Sequence, residues 1–261
     1  VQGAAVRVVI PLPAADFDPT EVSVPWSILR AEGYEVVFST PRGQPARADV
    51  RMLDGRGLLF WAPVLRARRE ARGLHDEMIR SPEFLSPLPW SQLAQLKADG
   101  LILAGGHAPG MKPYLESPEV QGLALRFFSE RRPVAAICHG VVVLARAVDS
   151  DTGRSVLFGR RSTCLTRPME MSAWSMTALW LGRYYRTYTQ TVEEEVCAAQ
   201  GEGDPGGPPL FSRGPFALFR DGPAVTNRGY TVRDGQYLSA RWPGDTYAFS
   251  RDFVEMLEDR R

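Results

Sequence analysis

The sequence predicts an α/β fold, a mostly parallel central sheet flanked by helices on both faces, with lid insertions. Three observations carry that expectation. Strand–helix–strand successions occur twice, within residues 6–40 and again within residues 100–137, and repeated βαβ units imply parallel strands covered by their own crossover helices. The strands are continuous apolar runs, the pattern of strands buried on both sides. The chain of 261 residues, 44% hydrophobic and 23% charged, is long enough to bury a core of its own and falls outside disordered and coiled-coil compositions.

Residues 6–12 (VRVVIPL) form the first run, ending at Pro13, and belong at the centre of the sheet. A helix follows from Pro19, whose fixed φ suits a first turn, and Gly33 stops it. Residues 35–40 make the second strand. Residues 48–97 exceed an ordinary connection, carry the basic run Arg66, Arg68, Arg69 and Arg72, and read as a solvated surface excursion or, more sharply, as a lid or dimer contact over a pocket. Residues 100–105 (GLILAG), a helix over about 117–131 and residues 133–137 (PVAAI) repeat the unit. Residues 161–166 read as a further strand, and Trp174, Ala178 and Leu181 are spaced as the core face of a helix. A second excursion, residues 189–222, is too rich in Gly and Pro over 200–215 for regular structure. Asp234-Gly235 between two alternating runs marks a hairpin, and residues 245–257 close the chain as an amphipathic helix. One domain spans residues 1–261.

Composition narrows the partners. The formal net charge is +1, which gives no electrostatic case for nucleic acid or anionic lipid, so a small-molecule ligand is expected. No stretch holds 18 uninterrupted apolar residues, the first residues lack a leader pattern, and the three cysteines show no paired spacing. A cytoplasmic protein in a reducing compartment is the expectation.

The chemistry is expected where a buried strand runs straight into Cys138, His139 and Gly140 and then a helix. That is the layout of a nucleophile elbow, whose side chain projects at the C-terminal edge of the sheet. The new helix would present free N–H groups that stabilise a thiolate. Gly105, Gly106 and His107 follow the neighbouring strand and bring backbone N–H groups near, as part of an oxyanion hole. Glu21 lies in the first turn of the first helix, at the same edge, where burial would keep it protonated. The only histidines are His75, His107 and His139, so His139 is the base for Cys138, and Glu170 is a candidate to orient it. The three histidines lack metal-ligand spacing, and neither metal nor cofactor is expected.

The motifs AGGH (residues 104–107) and AICHG (136–140), with PTEVSVPWSILRAEGYEVVFSTP and the closing hairpin, resemble the ThiJ/PfpI superfamily, whose fold is flavodoxin-like, the class I glutamine amidotransferase-like sandwich. Within it the chain is most similar to the heat-shock chaperone branch with glutathione-independent glyoxalase (glyoxalase III) activity. The resemblance implies Cys138 as nucleophile, His139 as its base, Glu21 as carboxyl partner, Glu170 as the acid orienting His139, and Gly106 as an oxyanion donor. It also implies conversion of methylglyoxal to lactate without a cofactor, and a homodimer. Two other functions fit the same residues: a cysteine hydrolase or amidase, and a stress holdase or redox sensor.

Overall fold

The computed structural model describes residues 6–203, 205, 207–215 and 219–260. Residues 1–5, part of the segment read for a leader, and residues 204, 206 and 216–218 of the second excursion lie outside the described residues.

Seven strands make one sheet: β1 (Arg7–Pro11), β2 (Glu35–Thr40), β3 (Leu88–Pro89), β4 (Gly100–Leu103), β5 (Val134–Ile137), β6 (Thr231–Asp234) and β7 (Tyr237–Ala240). Their order is β3-β2-β1-β4-β5-β7-β6, and every neighbouring pair is parallel except the β6–β7 hairpin. The central strands β4 and β5 are buried at every residue, as their unbroken apolar runs require. Helices gather in two groups. The first holds α1 (Pro19–Ala31), α2 (Arg69–Met78) and α7 (Thr246–Glu258), and the second α3 (Pro118–Ser129), α4 (Gly140–Arg146) and α6 (Val192–Gln200). Helix α5 (Arg167–Leu181) borders the second group, meeting it at α6. Helix α1 starts where the sequence places it because the Asp18 carboxylate accepts the N–H groups of Thr20 and Glu21.

Three regions differ from the sequence reading. Residues 161–166 form no strand; Ser162 makes one isolated bridge to Phe211, and the sheet ends instead on the β6–β7 hairpin. Helix α5 is not a core helix: it buries only Glu170 and Thr177, while Leu179 is 96% exposed. Its Trp174 and Leu181 pack on a satellite cluster of Met52, Leu58 and Tyr185, because the helix sits over the residue 48–97 excursion instead of the sheet. That excursion is itself structured, supplying α2, which packs on α1, and the edge strand β3.

The two excursions meet at Asp221 and Arg220. Arg68 donates to the Asp221 carbonyl, Arg220 donates to the carbonyls of Val64 and Leu65, and the Asp221 carboxyl accepts the N–H of Ala248 at the start of α7. Burial raises the Asp221 carboxyl from 3.8 to about 7, and Asp49, at the start of a short helix in the first excursion, to about 6. Between the unfolded value and these raised values the folded chain holds protons on these two carboxyls that the unfolded chain has released, so the stability they contribute is lost as pH rises from about 4 to about 7. Asp221→Asn removes one such proton uptake. Thermal unfolding at a series of pH values should show the melting temperature of the parent chain falling relative to that of the variant as pH rises through this window; parallel profiles would contradict the assignment.

Candidate active site

The C-terminal edges of β1, β4 and β5 lie side by side, and each delivers one part of the site. Strand β5 ends at Cys138, which has φ +57, a left-handed conformation that costs a non-glycine residue about 1–3 kcal/mol. The surroundings enforce it. The Cys138 N–H still donates to the Ala240 carbonyl of β7 at 3.1 Å, while its own carbonyl accepts the Val141 N–H of α4. Gly140 follows because a Cβ there would collide with the backbone carbonyl of Leu103 in β4. The turn is therefore wedged between two neighbouring strands.

The turn after β4 closes the other side. The Gly105 N–H donates to Glu21 Oε2 at 2.8 Å, and the Gly105 carbonyl accepts the Asp18 N–H at 2.9 Å. A Cβ at Gly105 would stand 2.7 Å from the His139 backbone nitrogen and 2.9 Å from both Cys138 Cβ and Glu21 Oε2. Only hydrogen fits there. Glu21 is wholly buried, within hydrogen-bonding range of the Cys138 thiol, and burial with the nearby Asp18 carboxyl holds its pKa well above the carboxylate range. Both effects favour its protonated form.

The Cys138 Sγ lies 3.6 Å from His139 Nδ1, and both side chains are buried. On the far side of the ring, His139 Nε2 lies 3.4 Å from Thr187 Oγ1, whose hydroxyl donates to the His107 carbonyl at 2.8 Å. With its proton committed there, Thr187 has only a lone pair for His139, so Nε2 carries the hydrogen and Nδ1 faces the sulfur as an acceptor. The thiol differs from the expected preformed thiolate. Burial, then the Glu21 and Asp18 carboxyls, push the Cys138 thiol up, and burial, then His107 and Arg146, push His139 down. Helix α4 spans only seven residues, and its end does not offset this desolvation. The resting pair is thiol and neutral imidazole.

Glu170 is not part of this constellation. Its Oε2 accepts the Val192 N–H at 3.0 Å and its Oε1 faces Arg186 at 3.9 Å, so it ties α5 to the start of α6. The ring partner expected of Glu170 is Thr187. Thr187 belongs to a polar segment after α5 with no recognisable motif, and only its three-dimensional return to the elbow reveals it. His107 does reach the site: its ring stands edge-on to His139 with centroids 5.1 Å apart, and burial lowers its pKa to about 4. His75 lies apart, against Phe17 and Asp76.

Residues 183–189 cover the pair. Tyr185 packs its ring on His107 at 5.4 Å, and the Tyr184 hydroxyl donates to Asp49 at 3.0 Å. Outside this cover lies a cavity of about 440 Å³ lined by Lys112, Arg183, Tyr184, Thr187 and Tyr188. Thr187 touches both the cavity and His139.

Gly105→Ala places a methyl against backbone and both reacting side chains. It should destabilise the chain by about 1–3 kcal/mol, read as a lowered denaturation midpoint; an unchanged midpoint would show that the packing at the elbow is looser than these distances.

Comparison with known proteins places this geometry. The family described as ThiJ/PfpI family-like matches residues 12–199. A protein of Pyrococcus abyssi named as a deglycase is 25% identical over 252 residues, 97% of this chain and 99% of the relative. A protein of Schizosaccharomyces pombe named as a glutathione-independent glyoxalase is 28% identical over 162 residues, and the match spans 58% of this chain and 59% of that one. Among solved structures, glyoxalase III of Candida albicans superposes with a TM-score of 0.65 at 17% identity, covering 96% of this chain and 97% of the other; that likeness is one of fold. With a family match over more than half its length, the chain belongs to the ThiJ/PfpI family.

Proposed function

We propose that the chain is a cysteine-dependent enzyme of small reactive carbonyl compounds, converting a 2-oxoaldehyde such as methylglyoxal into a 2-hydroxy acid without glutathione or a cofactor. The observation that carries the reading is the Cys138–His139 pair on a left-handed elbow with a protonated Glu21 beside it. The deglycase and glyoxalase names of relatives at 25% and 28% identity support it.

The chemistry starts from the neutral pair. Nδ1 of His139 takes the thiol proton as the sulfur adds to the aldehyde carbon, which avoids a free thiolate in a buried site. The oxyanion is met by the backbone N–H of Gly106 and of the elbow at His139 and Gly140, since the Gly105 N–H is committed to Glu21. Protonation of that oxygen gives a hemithioacetal. His139 then removes the proton from the thiol-bearing carbon, and Glu21 or the returning imidazolium delivers one to the adjacent carbon through an enediol. The product is a thioester, and water hydrolyses it to release the hydroxy acid and restore the thiol. Cys138 has no exposure, so substrate enters from the outer cavity when residues 183–189 move aside. Thr187 is a positioning residue that holds His139 in the productive tautomer.

A second reading has its own observation. Leu59, Phe60 and Val64 are 61%, 71% and 56% exposed, the Phe60 ring meets Trp61 and Trp180 at a tilt, and Leu179 on α5 is almost fully exposed. An apolar patch of this kind suits a holdase that binds unfolded clients.

Purified chain given methylglyoxal without glutathione should form lactate, and Cys138→Ala should abolish it; equal rates in parent and variant would rule the scheme out. Thr187→Val should lower kcat by about 10- to 100-fold with little change in KM, while Thr187→Ser restores it; a loss that Ser does not rescue would assign Thr187 a packing role only. In the holdase reading, suppression of client aggregation survives Cys138→Ala and falls on Phe60→Ser; suppression that is absent, or unaffected by Phe60→Ser, dismisses that reading.

A further inference from the structure

We propose that His107, Cys138 and His139 form a binding site for a thiophilic divalent metal ion of the zinc type, whose occupancy blocks the Cys138 sulfur. The site uses the proposed nucleophile, but it rests on geometry that holds whichever substrate the chain takes.

One ring nitrogen from each histidine and the Cys138 sulfur all lie within 4.8 Å of one another, and all three residues are buried. The topology makes this cluster. Adjacent parallel strands β4 and β5 pair Leu103 with Ala136, so the chain leaving β4 sets His107 beside the chain leaving β5 at Cys138 and His139. The spacing along the sequence, 107 to 138 and 139, carries no metal-ligand signature, which is why sequence reading passed over it.

The Cys138–His139 spacing suits the ion, and the His107 nitrogen stands within 4.8 Å of both, a gap that a small ring movement closes. Zinc bonds sulfur at about 2.3 Å and imidazole nitrogen at about 2.0–2.1 Å, so tetrahedral ligation separates the two ligand atoms by roughly 3.5 Å. The Cys138 Sγ to His139 Nδ1 distance is 3.6 Å. His107 supplies the independent observation: among the described residues its Nδ1 is buried without a hydrogen-bond partner, and the residue is only 6% exposed. A buried imidazole nitrogen is normally paired, and this unpartnered nitrogen is the His107 ligand, whose lone pair the metal ion would take up. The rest of the second ring is already arranged. His139 Nε2–H faces Thr187 Oγ1, an outer hydrogen bond of the kind that orients a ligating histidine and leaves the other nitrogen free to bind. Two nitrogens and one sulfur select a borderline-soft ion over magnesium or calcium, which take oxygen cages. Three protein ligands leave a fourth position for water.

Binding is an exchange at sulfur. The S–H bond breaks, the S–metal bond forms, and one proton leaves to solvent for each ion bound, with no change in oxidation state. The sulfur lone pair that would attack a carbonyl is then committed to the metal. The ion therefore acts as a reversible inhibitor that competes with substrate and with alkylating reagents for one atom.

The test uses the full chain after chelator treatment. Zinc chloride is titrated in competition with a chromophoric chelator, proton release is followed by buffer-dependent calorimetry, and cadmium chloride reports sulfur ligation through its thiolate charge-transfer absorption. The expected result is one ion per chain, one proton released, a cadmium–thiolate band, and slowed iodoacetamide labelling of Cys138 by peptide mass spectrometry. His107→Gln and Cys138→Ser should each weaken zinc binding on the order of 100-fold, with folding checked by circular dichroism. Thr187→Val, which removes no ligand, should weaken it about tenfold. Absence of binding, an absent cadmium band, or equal affinity in parent and His107→Gln overturns the site. The outcome separates from that of the catalytic reading: a metal-free chain that converts methylglyoxal yet binds no zinc refutes the metal site alone, and a chain that binds zinc while its metal-free form is inert refutes only the catalysis.

Discussion

The backbone of Cys138 is held left-handed at the junction of three strands, and the rest of the site follows from that constraint. The residue cannot relax, because its N–H remains in the ladder with β7 while Gly140 presses the start of α4 against the Leu103 carbonyl. Gly105 must be glycine for the same reason from the other side. The strain is local, and the sheet that carries it is buried on both faces, so many apolar contacts stabilise a conformation that costs about 1–3 kcal/mol by itself.

Burial then fixes the charge state. A sulfur, two imidazoles and a carboxyl lie together in a buried cluster, and burial favours the neutral form of each: the protonated Glu21 and Cys138 and the singly protonated rings of His107 and His139. A neutral pair needs the approach of an electrophile or a metal ion before the proton leaves sulfur. This makes the covering segment 183–189 as much a part of the chemistry as the elbow, since it carries Thr187 and keeps water out. The Arg68 and Arg220 contacts that join the two excursions hold the outer layer over the same edge of the sheet.

Much of the architecture is legible in the sequence because it is written in local pattern. The runs VRVVIPL, GLILAG and PVAAI are apolar apart from Arg7 near the start of the first and read as central strands, and the Pro19 helix start and the Asp234-Gly235 turn carry their own chemistry. Cys138, His139, Glu21 and Gly105 are legible for a related reason, since parallel strands deliver their C-terminal ends to one edge. What escapes is whatever tertiary return decides. Glu170 has the residue type of a ring-orienting acid but is held by Val192 and Arg186, while Thr187, an ordinary residue in an irregular stretch, takes the place beside His139. The apolar spacing of Trp174 and Leu181 signals burial, yet the surface it meets is an insertion whose position no periodicity encodes.

The central claim is that carbonyl chemistry takes place on the buried sulfur of residue 138, in preference to the exposed and intrinsically more accessible Cys197. Rapid acid quenching of the chain during reaction with methylglyoxal, followed by digestion and peptide mass spectrometry at low pH, where a thioester survives, locates the covalent intermediate directly. The account predicts an adduct on the peptide containing Cys138 that forms and decays with turnover; product formation with an adduct on Cys197 alone, or with no adduct at all, would contradict it.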